Sequence, residues 1–247
     1  MMNRMKILAS AILLAIPLLA SAQQKIDEKQ IQQVIAYVQA YREHLPSLEC
    51  DETMLSQTVI KGKVKEEVKI KATLRELRDE NEAGGFKDYY TFKSVDGKPA
   101  KPNFRAPYFV YNVFANSLGI GESPRPACFD YRFATLDDGR TLQFNLDSKP
   151  GVHDPSCKKI SEDYHKMMLI DMASGAVRHV ERHLSPQFAD NHLEIPSIVI
   201  DYAPQRLGKE TYWLPVRFEA SDPAIEGRMI ATYSNFHRYI GVVKILP

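Results

Sequence analysis

Between Asp27 and Leu45 the apolar positions Ile31, Val34, Ile35, Val38 and Tyr41 recur every three or four residues, and Pro46 follows. This spacing predicts an amphipathic helix that closes at the proline. Beyond it the period falls to two. Val68, Ile70, Ala72 and Leu74 alternate with Lys69, Lys71, Thr73 and Arg75, the pattern of an antiparallel strand with one buried and one solvated face. Thr53–Ile60 and Tyr89–Ser94 read as further strands, the latter ended by an Asp96-Gly97 turn. Residues 107–118, with Tyr108, Phe109, Tyr111, Val113, Phe114 and Leu118, break the alternation and predict a short apolar helix ended by Gly119 and Gly121.

Hairpins then follow one another. Phe129, Tyr131 and Phe133 alternate up to Asp138-Gly139, and Leu142, Phe144 and Leu146 alternate back. After a Pro/Gly-bearing loop from Ser148 to Tyr164, Met167–Met172 and Ala176–Leu184 flank the turn Ala173-Ser174-Gly175. Ile198, Ile200 and Tyr202 form one strand face, Leu207-Gly208-Lys209 turns, and Tyr212, Leu214, Val216 and Phe218 are expected to share the returning face. Pro215 cannot donate to a ladder and marks an edge or a bulge. Met229, Ala231 and Tyr233 start another strand, and Val242–Leu246 extends it or adds one.

About eleven consecutive strands without a βαβ rhythm predict a mainly β (α+β) fold. A sheet that wide curls, so the expected architecture is an open half-barrel covered by the N-terminal helix and the short apolar helix, which packs inside the curve. No interior linker or repeat divides the chain, so residues 23–247 are read as one domain.

Residues 1–22 read as a cleaved secretory signal. Arg4 and Lys6 precede an apolar run from Ile7 to Leu19, and Ala20-Ser21-Ala22 supplies small residues for cleavage before Gln23. The run is shorter than the roughly 20 residues a spanning helix needs. The expected location is therefore the periplasm. Losing Arg4 and Lys6 changes the formal charge from +1 to −1, and nothing in that balance points to nucleic acid. Three cysteines, Cys50, Cys128 and Cys157, suit an oxidising compartment with one disulfide and one thiol. Three pairings are open; Cys128–Cys157 is preferred because both flank Pro-bearing connections that a bridge would restrain.

Several motifs resemble those of the periplasmic outer-membrane lipoprotein carrier superfamily, which includes lipoprotein-sorting carriers and a periplasmic sigma-factor regulator. They are Leu45-Pro46-Ser47-Leu48-Glu49-Cys50-Asp51-Glu52-Thr53, Val199-Ile200-Asp201-Tyr202-Ala203-Pro204, Tyr212-Trp213-Leu214-Pro215 and Ala231-Thr232-Tyr233-Ser234-Asn235-Phe236. The hairpin Leu169-Ile170-Asp171-Met172-Ala173-Ser174-Gly175-Ala176-Val177-Arg178 is similar to one in that group. The resemblance implies a half-open barrel lidded by helices, with an apolar cavity for acyl chains.

The candidate ligand-binding set is aromatic: Tyr108, Phe109, Tyr111 and Phe114 as a lid or plug, and Phe129, Tyr131, Phe133, Phe144, Tyr202, Tyr212 and Phe218 as lining. Ordinary core packing is the competing reading of each. His179, Glu181 and His183 share one strand face, a start for a zinc site, but their neighbours are polar on both sides and a solvated face is expected. Local serine-hydrolase, zinc-protease and phosphate-loop motifs are absent, which leaves only dispersed catalytic groups. The expected function is non-catalytic, without a cofactor: binding of a lipid, an acyl chain or an acyl-bearing lipoprotein as carrier or sensor. The alternative is a regulatory or envelope-stress module that binds a protein partner, itself membrane-associated, through an edge strand or the Trp213 region.

Overall fold

The computed structural model describes residues 32, 35, 36, 39–41, 43–79, 81, 85–111, 127–136, 138–149, 151, 157, 164–183 and 197–240. The expectations for residues 1–31, 112–121 (Phe114 among them), Leu184 and 242–246, and for most of the 148–164 loop, lie outside them. Described residues between 32 and 44 are helical, in agreement with the predicted N-terminal helix. Eleven strands follow among the described residues: β1 Leu48–Ile60, β2 Lys63–Arg78, β3 Phe86–Val95, β4 Lys98–Pro99, β5 Phe129–Thr135 and β6 Thr141–Ser148. The rest are β7 His165–Asp171, β8 Val177–His183, β9 Ser197–Leu207, β10 Glu210–Asp222 and β11 Gly227–Arg238. Among the described residues no helix is long and apolar enough to cross a membrane.

All eleven strands form one antiparallel sheet in the order β4-β3-β2-β1-β11-β10-β9-β8-β7-β6-β5. The first and last of the described strands pair within it, where Glu52 on β1 faces Tyr233 on β11. The strands on either side of the long 100–128 connection, β4 and β5, are left as the two margins, so the sheet is an open one. The pattern of period two is obeyed on one face across nearly the whole width: Met54, Ile70, Leu74, Met168, Val180, Ile200, Phe218 and Met229 are all buried. They belong to one contiguous core drawn from strands at both ends of the sheet, and a sheet of this width buries such a face by curling around it.

Three expectations are corrected. First, Pro107–Tyr111 is not helical. Its backbone finds partners on the sheet instead of four residues back. The Tyr108 N–H donates to Ser56 Oγ (2.8 Å), the Ser56 hydroxyl donates to the Tyr108 carbonyl (2.7 Å), and the Val110 N–H reaches the Met229 sulfur (3.4 Å). The Tyr108 ring lies over Gly227, where a Cβ would fall 2.6 Å from its Cγ. A non-helical run pinned in this way gains core burial that an isolated short helix would not.

Second, Tyr212, Leu214, Val216 and Phe218 do not share a face, because the β9–β10 register shifts between Pro215 and Arg217. Leu214 and Pro215 are consequently both buried. Pro215 tolerates an interior strand because β10 pairs with β11 only over Arg217–Asp222. Before that point the two strands part. The Trp213 carbonyl there accepts the Tyr41 hydroxyl of the N-terminal helix (2.6 Å), and Arg238 at the end of β11 bridges to Glu210 and to the Tyr212 hydroxyl. Third, β1 begins at Leu48 and not at Thr53, so Cys50 and Glu52 lie on the inward face of a strand. The expected number of strands matches, but the set differs: β4, two residues long after the Asp96-Gly97 turn, was not anticipated.

Candidate functional site

Both margins of the open sheet carry clustered aromatic side chains. On the β3 side, Tyr90 and Phe92 meet the non-helical 104–111 segment from the inward face. Phe109 meets Tyr90 edge-on at 4.9 Å and Phe92 at 5.7 Å, Phe104 meets Phe92 at 5.7 Å, and Tyr111 meets Phe109 at 4.6 Å. These are the offset and edge-to-face distances that ring quadrupoles favour. Tyr111 is 63% exposed, so this cluster runs from the core out to solvent. On the β5 side, Phe133 and Phe144 lie 5.0 Å apart, Tyr131 and Phe144 6.1 Å, and Phe129 and Tyr164 5.3 Å. Phe133 and Phe144 are core, while Phe129, Tyr131 and Tyr164 are half-buried.

The predicted aromatic set therefore divides. Phe109 and Tyr111 come together at one margin, and Phe129, Tyr131, Phe133 and Phe144 at the other. Tyr108, Tyr202 and Phe218 are buried in the core between them. Tyr212 belongs to the Arg238–Glu210 bridge, away from both clusters. Sequence reasoning missed Tyr90, Phe92 and Phe104. The alternation in Tyr89–Ser94 held the signal for the first two, since Tyr90 and Phe92 are two apart within one strand.

Toward the β3 margin, strands β1–β3 also carry acidic side chains that sequence reasoning missed. Glu52 follows Cys50 on β1, Glu76 follows Leu74 on β2, and Asp88 sits across from Glu76 on β3. Glu52 is 1% exposed and Glu76 0%. Burial pushes Glu52 up to about 8, with the Tyr233 hydroxyl acting against the shift and Asp88 with it. Glu76 is raised well above the ordinary carboxyl range by burial and by Asp88. The Cys50 thiol is raised as well, by burial and by the surrounding carboxyls, so it is an unreactive free thiol. Its counterparts Cys128 and Cys157 are joined, with Cα atoms 5.4 Å apart.

The outward face of β6–β11 is a ladder of charges. His179 bridges Asp201 (2.7 Å) and Glu181 (2.9 Å), and His165 meets Asp147 (2.5 Å) and stacks at 6.4 Å on His183. Arg217 joins Asp201 to Glu219, and Arg228 also holds Glu219. His183 lies 3.0 Å from Ser197 and 3.9 Å from Glu181, the residue types of a hydrolase triad. They occupy an exposed sheet face, with the carboxylate beyond hydrogen-bond reach of the ring and no water-excluding wall described around them, unlike the arrangement nucleophilic catalysis uses. No group of described residues is placed to hold a metal ion.

No family model matches the chain, and no curated protein is significantly similar to it. Solved structures do resemble it. An outer membrane lipoprotein-sorting protein domain from Vibrio parahaemolyticus is 10% identical, with 85% of this chain and 92% of that chain covered and a TM-score of 0.46. A LolA superfamily protein from Nitrosomonas europaea is 10% identical over 85% and 94% of the two chains, with a TM-score of 0.36. A DUF1329 family protein from Desulfovibrio piger is 11% identical over 85% and 92%, with a TM-score of 0.37.

Proposed function

We propose that the chain is an exported, non-catalytic binder of an apolar ligand, an acyl chain free or attached to a lipid or lipoprotein, held against the inward face of the open sheet. The observation that carries this reading is the pair of aromatic clusters at the two unpaired margins. Half-exposed rings continuous with a buried apolar face are what a chain-shaped ligand needs in order to enter and be desolvated. Each CH₂ buried contributes about 0.8 kcal/mol, so even part of an acyl chain is held firmly. Residues 1–22 serve as the export signal and residues 23–247 as one mature domain in the periplasm. The Cys128–Cys157 disulfide supports an oxidising compartment.

The protein-partner reading receives less support. Its proposed anchor, Trp213, is engaged within the chain: its carbonyl accepts Tyr41 and its ring lies under the Arg178 guanidinium at 5.5 Å. The test is native mass spectrometry of the chain purified from a periplasm without detergent. Added mass that leaves on denaturation and extracts as fatty acid, phospholipid or lipopeptide is the expected result. A bare mass, with no uptake when those lipids are supplied, overturns the reading.

A further inference from the structure

At one corner of the sheet the excess charge is of one sign and one residue type. β2 runs past the end of β3, with which it pairs only from Ile70 onward. The exposed side chains Lys63, Lys65, Lys69 and Lys71 follow one another along β2, and Lys98 and Lys101 come just after the Asp96-Gly97 turn. That turn is fastened to the same stretch of β2: Asp96 Oδ1 accepts the Lys69 N–H (2.8 Å), and the Asp96 N–H donates to the Lys69 carbonyl (2.8 Å). The six lysines are thereby gathered at one place, and none of them forms an ion pair among the described residues. On the outward face beside them Asp51 is taken by Lys93 (2.8 Å) and Glu49 by Arg75 (2.5 Å). Glu66, Glu67 and Asp96 are the carboxylates left among the lysines, half as many.

The formal charge of the whole chain is only +1, so this excess is a segregation of charge and not a matter of composition. On the far half of the outward face the arginines Arg217 and Arg228 are bridged to carboxylates. Guarding an open edge is one use of lysine and accounts for Lys63 and Lys65. It does not account for Lys71, which pairs with Thr53 on one side and Ser94 on the other, or for Lys101, which lies outside any strand. The residue type narrows the partner. Protein interfaces are depleted of lysine and enriched in arginine. A compact ammonium on a flexible stem suits a fluid array of phosphates better than one fixed carboxylate. From Lys101 the chain runs directly into the aromatic margin, where Phe104 packs on Phe92 and Tyr111 is 63% exposed. Tyrosine is a residue that settles at the headgroup level of a bilayer.

We propose that this corner docks the protein on an anionic phospholipid surface. The lysines stand over the lipid phosphates and Tyr111 lies at the level of the headgroups, so that the aromatic margin opens toward the bilayer with which an acyl chain is exchanged. The docking goes beyond the acyl-binding reading and does not depend on it. Attraction of this kind is screened by salt, and each lysine near such a surface changes partitioning roughly fivefold.

The test is co-sedimentation of the purified chain with vesicles of phosphatidylcholine alone and of phosphatidylcholine mixed equally with phosphatidylglycerol. Retention on the mixed vesicles, none on phosphatidylcholine, and release by about 0.5 M salt are expected. A Lys69→Glu/Lys71→Glu variant should lose retention by roughly tenfold or more. Arg140→Glu/Lys209→Glu makes the same change of charge on exposed turns at the opposite end of the sheet, and should leave retention unaltered. Equal retention on both kinds of vesicle, an equal loss in the two variants, or no retention at all overturns the inference. None of these outcomes touches the acyl-binding reading, which the mass measurement decides without vesicles. The wild-type comparison of lipids and salt stands even if a variant does not fold.

Discussion

Gly227→Ala tests how the 104–111 segment is seated on the sheet. A Cβ at this position would stand 2.6 Å from the Tyr108 Cγ, where ordinary contact begins near 3.4 Å, so the ring must retreat by about 1 Å. The ring cannot retreat alone, because the Tyr108 N–H and carbonyl are both held by Ser56 at 2.8 and 2.7 Å. Overpacking of this kind costs about 1–3 kcal/mol. If the segment instead lets go, it forfeits the burial of one aromatic side chain, about 2–3 kcal/mol. It also forfeits two hydrogen bonds worth roughly 1 kcal/mol each. The cheaper route sets the expected destabilisation at about 1–3 kcal/mol, read from urea unfolding by circular dichroism. Tyr108→Ala alone should cost about 3–5 kcal/mol, as large aromatic truncations in cores do. In that background the added methyl enters space the ring has vacated, and its cost should fall below about 0.5 kcal/mol. A Gly227→Ala variant as stable as wild type would refute the reasoning. The same penalty with and without the Tyr108 ring would refute it too, since the two residues would then act independently.

The remaining predictions concern Glu52, the disulfide and the contacts across the parted strands. Burial raises Glu52 from 4.5 to about 8, so the folded chain holds a proton there that the unfolded chain releases. Its contribution is complete below the lower value and is lost as pH rises to the upper one, a change on the order of a few kcal/mol. Glu52→Gln should flatten the pH dependence of the urea midpoint over that window; an unchanged slope counts against the assignment. Reducing Cys128–Cys157, which spans 29 positions, should lower stability by about 3–4 kcal/mol in a thermal or urea melt. Tyr41→Phe removes the bond to the Trp213 carbonyl and should cost about 1 kcal/mol, with faster hydrogen exchange confined to the N-terminal helix. Arg238→Ala breaks an exposed bridge and should cost less than about 1 kcal/mol; a larger loss would mean that the bridge holds the parted strands together.

The alternation of Val68, Ile70, Ala72 and Leu74 made β2 and its inward face legible, and the same alternation continues to Glu76, where a reading by hydrophobicity stops. On β1 the equivalent break is Glu52, set between Cys50 and Met54. Period-two patterning says which way a side chain points whatever its chemistry, so a charge on the inward parity is a stronger signal than another apolar residue there. The helix expected at Pro107–Tyr111 failed for the opposite reason. Its aromatic density implied burial correctly, but burial does not choose a backbone conformation, and the Ser56 hydrogen bonds that choose it come from a residue 52 positions away. Pro215 was legible as an irregularity, whereas its cause, the parting of β10 from β11, depends on pairings that no local window contains. The aromatic residues divide likewise: spacing puts Tyr131 and Phe133 on one strand face, but only the strand order decides that they lie near a margin and Phe218 near the centre. The chain thus departs from its own pattern at two places with different consequences. At Pro215 the departure is absorbed by the sheet, with Tyr41 taking the carbonyl that a neighbouring strand would have used. At Glu52 and Glu76 it is met across the adjoining strands, by the Tyr233 hydroxyl for Glu52 and the Asp88 carboxyl for Glu76, and both carboxyls are raised above their ordinary range by burial.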